Sequence, residues 1–248
     1  MPAHTIDEVI AQLDEIVARS RRENSRLGFF AALYRQVTIK VKNGIASGRF
    51  EDGTRMERLD VIFANRYIEA LQRFRSGEPA SKSWQVAFEA ATSWRLLILQ
   101  HLLLGINAHI NLDLGAAAAQ TCPGEKLPAL KRDFDEINVI LSDLLDKVQQ
   151  EIAVASPSLG LLDRIAGRTD EIVFNFSLKR ARTAAWKFAE QLANLSPEQQ
   201  LPAMQEHDGK CERLANLIRR PGWLISLVAL VIRLRENNDI ERIIESLT

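Results

Sequence analysis

The segment of residues 94–115 reads WRLLILQHLLLGINAHINLDLG and is apolar on most of its helical faces. Such a helix is typical of the centre of a bundle, because a helix at the surface keeps one polar face for water. We therefore expect one long central helix over residues 83–118, with the rest of the protein packed around it.

Helical signals extend from this segment towards both ends of the chain. Thr5 with Glu8, and Thr54 with Glu57, match the capping-box pattern that begins a helix. Apolar spacing and glycine or proline punctuation predict helices over residues 5–23, 26–47, 55–76, 83–118, 127–154, 169–194, 197–219 and 222–246, with a short helical turn at 158–166. We predict an all-α fold, a single-domain bundle of about eight helices over residues 1–248.

Composition argues against several classes of protein. The 248 residues carry 32 basic and 32 acidic side chains, so the formal net charge is zero. A nucleic-acid-binding protein needs a basic excess to neutralise phosphates, so we expect no nucleic-acid partner. With 46% apolar residues the chain has enough material for a hydrophobic core.

The sequence also shows no signal for secretion and no segment long enough to span a membrane. The N-terminus lacks the apolar core of a secretory signal, and Cys122 and Cys211 form no metal or redox motif. The longest uncharged stretches have 17 residues, after Arg95, and 12 residues, after Arg220. A spanning helix needs about 20 mostly apolar residues, so we expect a cytoplasmic protein without a transmembrane segment.

A cluster of polar residues interrupts the apolar central segment. Its members are His101, Asn107, His109, Asn111 and Asp113. A buried polar group without a partner costs roughly 1–3 kcal/mol, so these groups must bond to one another, to other helices, to water or to a ligand. On a helix, His109 and Asp113 form one pair a turn apart, and Asn107 with Asn111 forms a second pair on nearly the opposite side.

The pair His109–Asp113 has two chemical interpretations. The carboxylate can orient the imidazole as in a general-base dyad. Alternatively, both side chains can bind a divalent metal ion, with further carboxylates such as Asp60 recruited from other helices. The complete ligand set of a metal site is absent from the sequence. Gly105, on the same face, admits a close neighbour or a ligand.

A resemblance to a known family begins at this cluster. The decapeptide Gly105-Ile-Asn-Ala-His-Ile-Asn-Leu-Asp-Leu114 resembles the hallmark of a bacterial family of unknown function, and residues 48–53, 56–67 and Trp84 also look like it. The resemblance covers residues 30–150 most closely. It implies an all-helical domain without naming its chemistry, and by matching position it points to Asp60, Asn107, His109, Asn111 and Asp113.

Two functions fit these observations. The first is an enzyme or ligand-binding protein for a small molecule, of hydrolytic or metal-assisted type, with His109 and Asp113 as catalytic residues. Its ligand-binding residues would be Asp60, His101, Asn107 and Asn111. The second is a non-catalytic interaction module in which the same cluster is a structural hydrogen-bond network. A cavity beside His109 and Asp113 would favour the first function.

Two further segments bear on partners. The nearly uncharged segment 222–232 would serve as a docking or homodimer face in the second function. The cationic run Lys179-Arg180-Ala-Arg182 is interpreted as a solvated helix face, and contact with an anionic ligand is the alternative.

Overall fold

The fold of residues 1–141 and 178–248 is described by a computed structural model. Throughout these residues the regular structure is helical, and no β-strand occurs among them. The first half contains α1 (Ile6–Arg22), α2 (Leu27–Ala46), α3 (Gly53–Arg75), α4 (Lys82–Ala90), α5 (Ile98–Ile106), a π-helical segment (Asn107–Asp113), α6 (Leu114–Thr121), a 3₁₀ helix (Gly124–Leu130) and α7 (131–141). The second contains α8 (Leu178–Ala193), α9 (Pro197–Arg219), α10 (Trp223–Arg233) and α11 (Ile240–Ser246).

One main hydrophobic core connects the two ends of the chain. Its buried residues run from Ala3 before α1 to Leu247 after α11. Helix α1 packs along α2, α6 packs along α8, and α9 packs against α4 and the π-helical segment. The prediction of an all-α, single-domain bundle is confirmed by this arrangement.

The predicted central helix over residues 83–118 is wrong as a single element. Helix α4 ends at Ala90, and α5 begins only at Ile98. In between, the Thr92 hydroxyl donates to the carbonyl of Glu89, which competes with the helical backbone pattern. The Gln100 side chain then accepts from the backbone N–H of Leu97 and starts α5. The apolar centre of the bundle is therefore α5, the π-helical segment and α6.

Other predicted boundaries also changed. The segment 222–246 forms two helices, because the Asp239 side chain accepts from the N–H of Arg242 and begins α11. Helix α3 is capped by Asp52 rather than by Thr54, and the Thr5 hydroxyl caps α1 as predicted. The turn at 158–166, the end of helix 127–154 and the start of helix 169–194 lie outside the described residues.

Two buried aspartates fix the helices that surround the centre. Asp133 accepts from the backbone N–H groups of Glu51 and Asp52, just before α3. Asp208 accepts from the N–H groups of Lys82 and Ser83 at the start of α4. Both carboxylates satisfy N–H groups that a helix start leaves unbonded, and both join parts of the chain that are distant in sequence.

Two glycines let neighbouring elements approach the centre closely. A Cβ atom on Gly105 would lie 2.5 Å from the ring of Phe30, and one on Gly115 would lie 2.7 Å from the carbonyl oxygen of Ala185. The neighbour expected at Gly105 is thus the side chain of Phe30. Gly115 lies inside α6 and allows α8 to cross closely.

One stretch of the described chain is long and apolar enough to cross a membrane. It is Ile98–Thr121, which has 24 residues. An 18-residue window within it has a mean hydropathy of 1.2, and 89% of that window is buried inside the protein. Helices α9 and α10 pass the same test only as a pair, with a bend of 61° between them. A buried core helix passes the test as well, so this finding agrees with the expectation that no segment spans a membrane.

The close approach at Gly105 gives a stability prediction. We expect Gly105→Ala to lower the free energy of unfolding by about 1–3 kcal/mol, because the new methyl group overpacks against Phe30. Gly209→Ala in α9 is the matched control, since its Cβ would meet only the far end of Arg213, at 4.0 Å. The control should gain about 0.5–1 kcal/mol from helix propensity. Urea unfolding measures both, and a gain at both positions would contradict the packing argument.

Candidate functional site

The imidazole of His109 lies in a cluster of aromatic rings at the centre of the bundle. His109 is 2% exposed. It stacks on Phe63 with ring centroids 3.5 Å apart and meets the edge of Tyr34 at 4.3 Å. Three more rings complete the cluster at centroid distances of 5.6, 6.0 and 6.2 Å, namely Phe30, Trp84 and Tyr67. His109 is therefore held in a largely apolar environment.

The π-helical segment Asn107–Asp113 divides the predicted cluster between two sides of the bundle. Short π-helical segments are rare and often occur at functional sites. On one side, Asn107 donates to the carbonyl of Cys211 in α9, at 2.9 Å, and accepts from the side chain of Asn111. On the other side, His109 contacts rings of α2 and α3. The two asparagines and His109 thus do not share one site.

Asp113 is adjacent to His109, but its oxygens are bonded elsewhere. Oδ1 accepts from Nε of Arg66 at 3.0 Å, and Oδ2 accepts from Nε1 of Trp84 at 2.7 Å. Nδ1 of His109 lies 3.5 Å from Oδ2, and neither ring nitrogen of His109 has a hydrogen-bond partner among residues 1–141 and 178–248. Burial lowers the pKa of His109, although Asp113 acts in the opposite direction. The imidazole is therefore neutral at pH 7.

His101 lies apart from His109. It meets Phe29 edge-on and lines a cavity of about 20 Å³ together with Gly105 and Phe88. Burial lowers the pKa of His101 to about 3, and its Nε2 atom has no hydrogen-bond partner. The cavity has room for about one water molecule, so His101 does not join the larger site beside His109.

A largely apolar cavity of about 80 Å³ adjoins His109. Most of the residues that surround it are buried, the half-buried exceptions being Val37, Ile106 and Leu178. Among the described lining residues four are polar, namely Tyr34, Asp60, His109 and Arg182. The cavity that was expected to distinguish the two functions is present beside His109, whereas Asp113 does not line it.

Asp60 and Tyr34 bring unpartnered oxygen atoms to the same cavity. Asp60 is 6% exposed, and within the described part of the chain neither its Oδ2 atom nor the Tyr34 hydroxyl has a hydrogen-bond partner. Burial, with a smaller contribution from Glu57, raises the pKa of the Asp60 carboxyl from 3.8 to about 7. Burial likewise raises the pKa of Tyr34 well above its ordinary value. A carboxyl group of this kind exchanges protons readily at neutral pH.

A metal centre has little support in the geometry. In residues 1–141 and 178–248, no group of three or more histidine, cysteine, aspartate and glutamate side chains is placed to hold a metal ion. His109 and Asp113, the pair expected to contribute to such a centre, lie 3.5 Å apart and have no third ligand within those ranges.

Several residues of interest were missed from the sequence. Tyr34 falls on the apolar face of α2, so its hydroxyl gave no separate signal. Arg182 was assigned to a solvated face but is 3% exposed, which makes that interpretation wrong for this residue. His207 gave no signal in the sequence, and Cys211 was considered only as part of a metal or redox motif. Cys211 is in fact buried, and Nε2 of His207 lies 2.9 Å from the carbonyl oxygen of Asn111.

Comparison with other proteins assigns the chain to a family but does not assign it an activity. One family model matches residues 6–221, which is most of the chain. The chain belongs to DUF5995, a family of unknown function. The expected resemblance to an all-helical family of unknown function is confirmed, and that family carries no assigned chemistry. No curated protein and no solved structure matches the chain.

The raised pKa of Asp60 predicts how stability depends on pH. The unfolded carboxyl loses its proton near pH 4 and the folded one near pH 7, so the contribution of Asp60 to stability is largest below pH 4 and is lost as the pH rises through about 7. The change amounts to about 4 kcal/mol at most. We expect Asp60→Asn to remove this part of the slope, so that the variant exceeds the wild type in stability above pH 7.

Urea unfolding between pH 4 and pH 8 tests this prediction. The control is Asp14→Asn, since Asp14 is an exposed carboxylate paired with Arg35. Its curve should run parallel to that of the wild type. An Asp60→Asn curve that is also parallel to the wild type would show that Asp60 ionises normally.

Proposed function

We propose that the protein binds a small, mainly apolar molecule in the cavity beside His109 and acts on it by proton transfer through Asp60. The observation that carries this proposal is the set of unpartnered polar atoms around an apolar cavity: the Tyr34 hydroxyl, Oδ2 of Asp60 and both ring nitrogens of His109. Native proteins leave few buried polar groups unbonded, and a ligand with polar atoms would satisfy these.

The size and lining of the cavity define the ligand class. An engineered apolar cavity of about 150 Å³ holds benzene. A volume of about 80 Å³ therefore suits a molecule with a chain of roughly three to five carbon atoms. Apolar side chains such as Leu59 and Ile110 would contact the chain, and the polar groups would fix its orientation.

The chemistry assigns different roles to the three polar groups. Asp60 has a pKa close to neutral pH and serves as the group that takes or gives a proton. The neutral imidazole of His109 donates a hydrogen bond to an oxygen atom of the ligand, as does the Tyr34 hydroxyl. Asp113 acts as a positioning residue, because Arg66 and Trp84 hold it beside His109. The base expected from the sequence was His109, and this proposal gives that role to Asp60.

The alternative, a structural hydrogen-bond network, describes one side of the cluster. Asn107 bonds to Asn111 and to the carbonyl of Cys211, and Nε2 of His207 bonds to the carbonyl of Asn111. Since His207 and Cys211 lie on α9, these bonds stabilise the contact between α9 and the π-helical segment. Such a network leaves the unpartnered groups of His109 and Asp60 unexplained. We therefore favour ligand binding for the cavity and a structural role for the asparagines.

Butan-2-one tests the proposal, because it fits the volume and exchanges its carbonyl-adjacent hydrogens through one base and one hydrogen-bond donor. We expect ligand-observed NMR to show binding to the wild type. Val41→Phe fills the cavity wall and should weaken binding at least fivefold. Val231→Phe, on an exposed position of α10, is the matched control and should leave binding unchanged.

Proton transfer is measured by deuterium exchange into bound butan-2-one in D₂O. We expect the wild type to accelerate exchange, with a rate that rises as the pH passes through about 7 and Asp60 loses its proton. Asp60→Asn should abolish the acceleration, whereas Asp14→Asn should keep it. Absence of binding would overturn the whole proposal. Binding without Asp60-dependent exchange would overturn its catalytic part.

A further inference from the structure

Arg182 is a buried cation in the wall of the cavity. It lies on α8 and is 3% exposed, whereas Lys179 and Arg180 on the same helix are exposed. Its Nε atom donates to Oδ1 of Asn138 at 2.6 Å, and a terminal nitrogen donates to the carbonyl of Phe134. The guanidinium carbon also lies 4.4 Å from the centre of the Phe134 ring. These contacts orient the group but do not neutralise its charge.

No carboxylate of the described chain lies within 4.0 Å of the Arg182 guanidinium. Asp135 acts on Arg182 from a greater distance, and its carboxylate is paired with Lys131. Burial lowers the pKa of Arg182 to about 10, which still leaves it charged at neutral pH. An unpaired buried charge costs several kcal/mol, so a counter-charge at this position would stabilise the protein.

The other titratable groups of the cavity wall do not supply that counter-charge. His109 is neutral, the Tyr34 hydroxyl keeps its proton, and about half of the Asp60 carboxyls are protonated at neutral pH. The described part of the wall therefore carries a net positive charge over an apolar interior. A small anion with an apolar chain matches both features.

We propose, on the basis of the proposed function, that the ligand is a short-chain aliphatic carboxylate whose carboxylate group binds Arg182. A guanidinium presents parallel N–H groups that match the two oxygens of a carboxylate, and two of its nitrogens are already held in place. The chain of three to five carbons then lies among the apolar residues towards His109. For the run 179–182 the sequence offered contact with an anionic ligand as the alternative to a solvated face. In this proposal only Arg182 makes that contact.

Binding of butanoate and its neutral isostere butanamide tests this inference. We expect the wild type to bind butanoate at least tenfold more tightly than butanamide, measured by ligand-observed NMR titration. Arg182→Met removes the charge at similar length and should abolish the preference. Arg182→Lys should restore part of it. Lys179→Met, an exposed change on the same helix, should leave it intact.

The outcomes separate this inference from the proposed function. Equal or tighter binding of butanamide by the wild type, or a preference that survives Arg182→Met, would overturn the role of Arg182. Binding of butan-2-one without binding of butanoate would also overturn it, while the proposed function would stand. If none of these molecules binds, the proposed function itself fails. If Arg182→Met does not fold, the partial preference for butanoate that is expected of Arg182→Lys still tests the role of Arg182.

A second observation concerns the outer face of α10. Its inner face, with Ala229 and Ile232, packs against Leu97. The outer face is apolar but exposed, with Trp223 at 79% and Leu234 at 67%. The exposed apolar patch consists of Trp94, Trp223, Leu224, Leu227, Val231 and Leu234. Large exposed apolar side chains grouped on one helix face are typical of an interaction surface.

Charge around the patch identifies the occupant. Residues 213–235 contain five arginines and no acidic residue, and one of the five, Arg233, is buried and pairs with Glu236. Exposed Arg95 and Arg235 are adjacent in sequence to Trp94 and Leu234, and exposed Arg220 precedes Trp223 by three positions; Arg219 pairs with Glu89. A second copy of the chain would bring the same arginines together across a symmetric contact, which is unfavourable. An anionic lipid surface complements both the arginines and the exposed tryptophans.

We infer that the exposed apolar patch binds an anionic membrane surface, with α10 lying in the plane of the lipid headgroups. Sedimentation with vesicles of phosphatidylcholine and phosphatidylserine at a 7:3 ratio tests this. We expect binding that weakens with salt and is much weaker on pure phosphatidylcholine. Trp223→Ser combined with Leu227→Ser should reduce binding at least fivefold. Leu201→Ser, at an exposed apolar residue of α9, should not.

Two results would overturn the membrane inference. One is the absence of binding to the anionic vesicles. The other is a dimer, detected by analytical ultracentrifugation, that the double variant dissociates, because the patch would then be the homodimer face expected from the sequence.

Discussion

The bundle depends on one buried carboxylate, that of Asp113. Its two oxygens accept from Arg66 on α3 and from Trp84 on α4, so a single side chain of the π-helical segment joins three elements. A carboxylate this deeply buried is tolerated only when it is paired and hydrogen-bonded. Once both oxygens are committed to these partners, the neighbouring imidazole of His109 has no partner of its own. The groups available to a ligand follow from this arrangement.

Much of the fold was predictable from the sequence because it depends on local periodicity. The helical class, the apolar centre and the close neighbour at Gly105 all follow from apolar spacing and from the position of a glycine in a helix. The break between α4 and α5 could not be predicted in this way, since the helical pattern continues through it. The capping contact of Gln100 is seen only in three dimensions. Periodicity also gives no warning of a π-helical segment.

The candidate site was predicted only in part, for a different physical reason. The sequence identified His109, Asp60 and Asp113 as polar groups in an apolar context, but it did not show which of them would be satisfied by other helices. Arg182 lies in a charged run and becomes buried only because Phe134 and Asn138 pack against it. Desolvation depends on distant parts of the chain, so its consequences for the charge of each group are tertiary properties.

The burial of the cavity wall also has a kinetic consequence. Since the described side chains around the cavity are almost all buried, a ligand that passes between these helices can enter only while they separate briefly. Association would then be limited by the opening rate of the protein rather than by diffusion, and local opening of packed helices is slow compared with encounter. Release is subject to the same barrier. A weakly bound small molecule would therefore have an unusually long residence time in this protein.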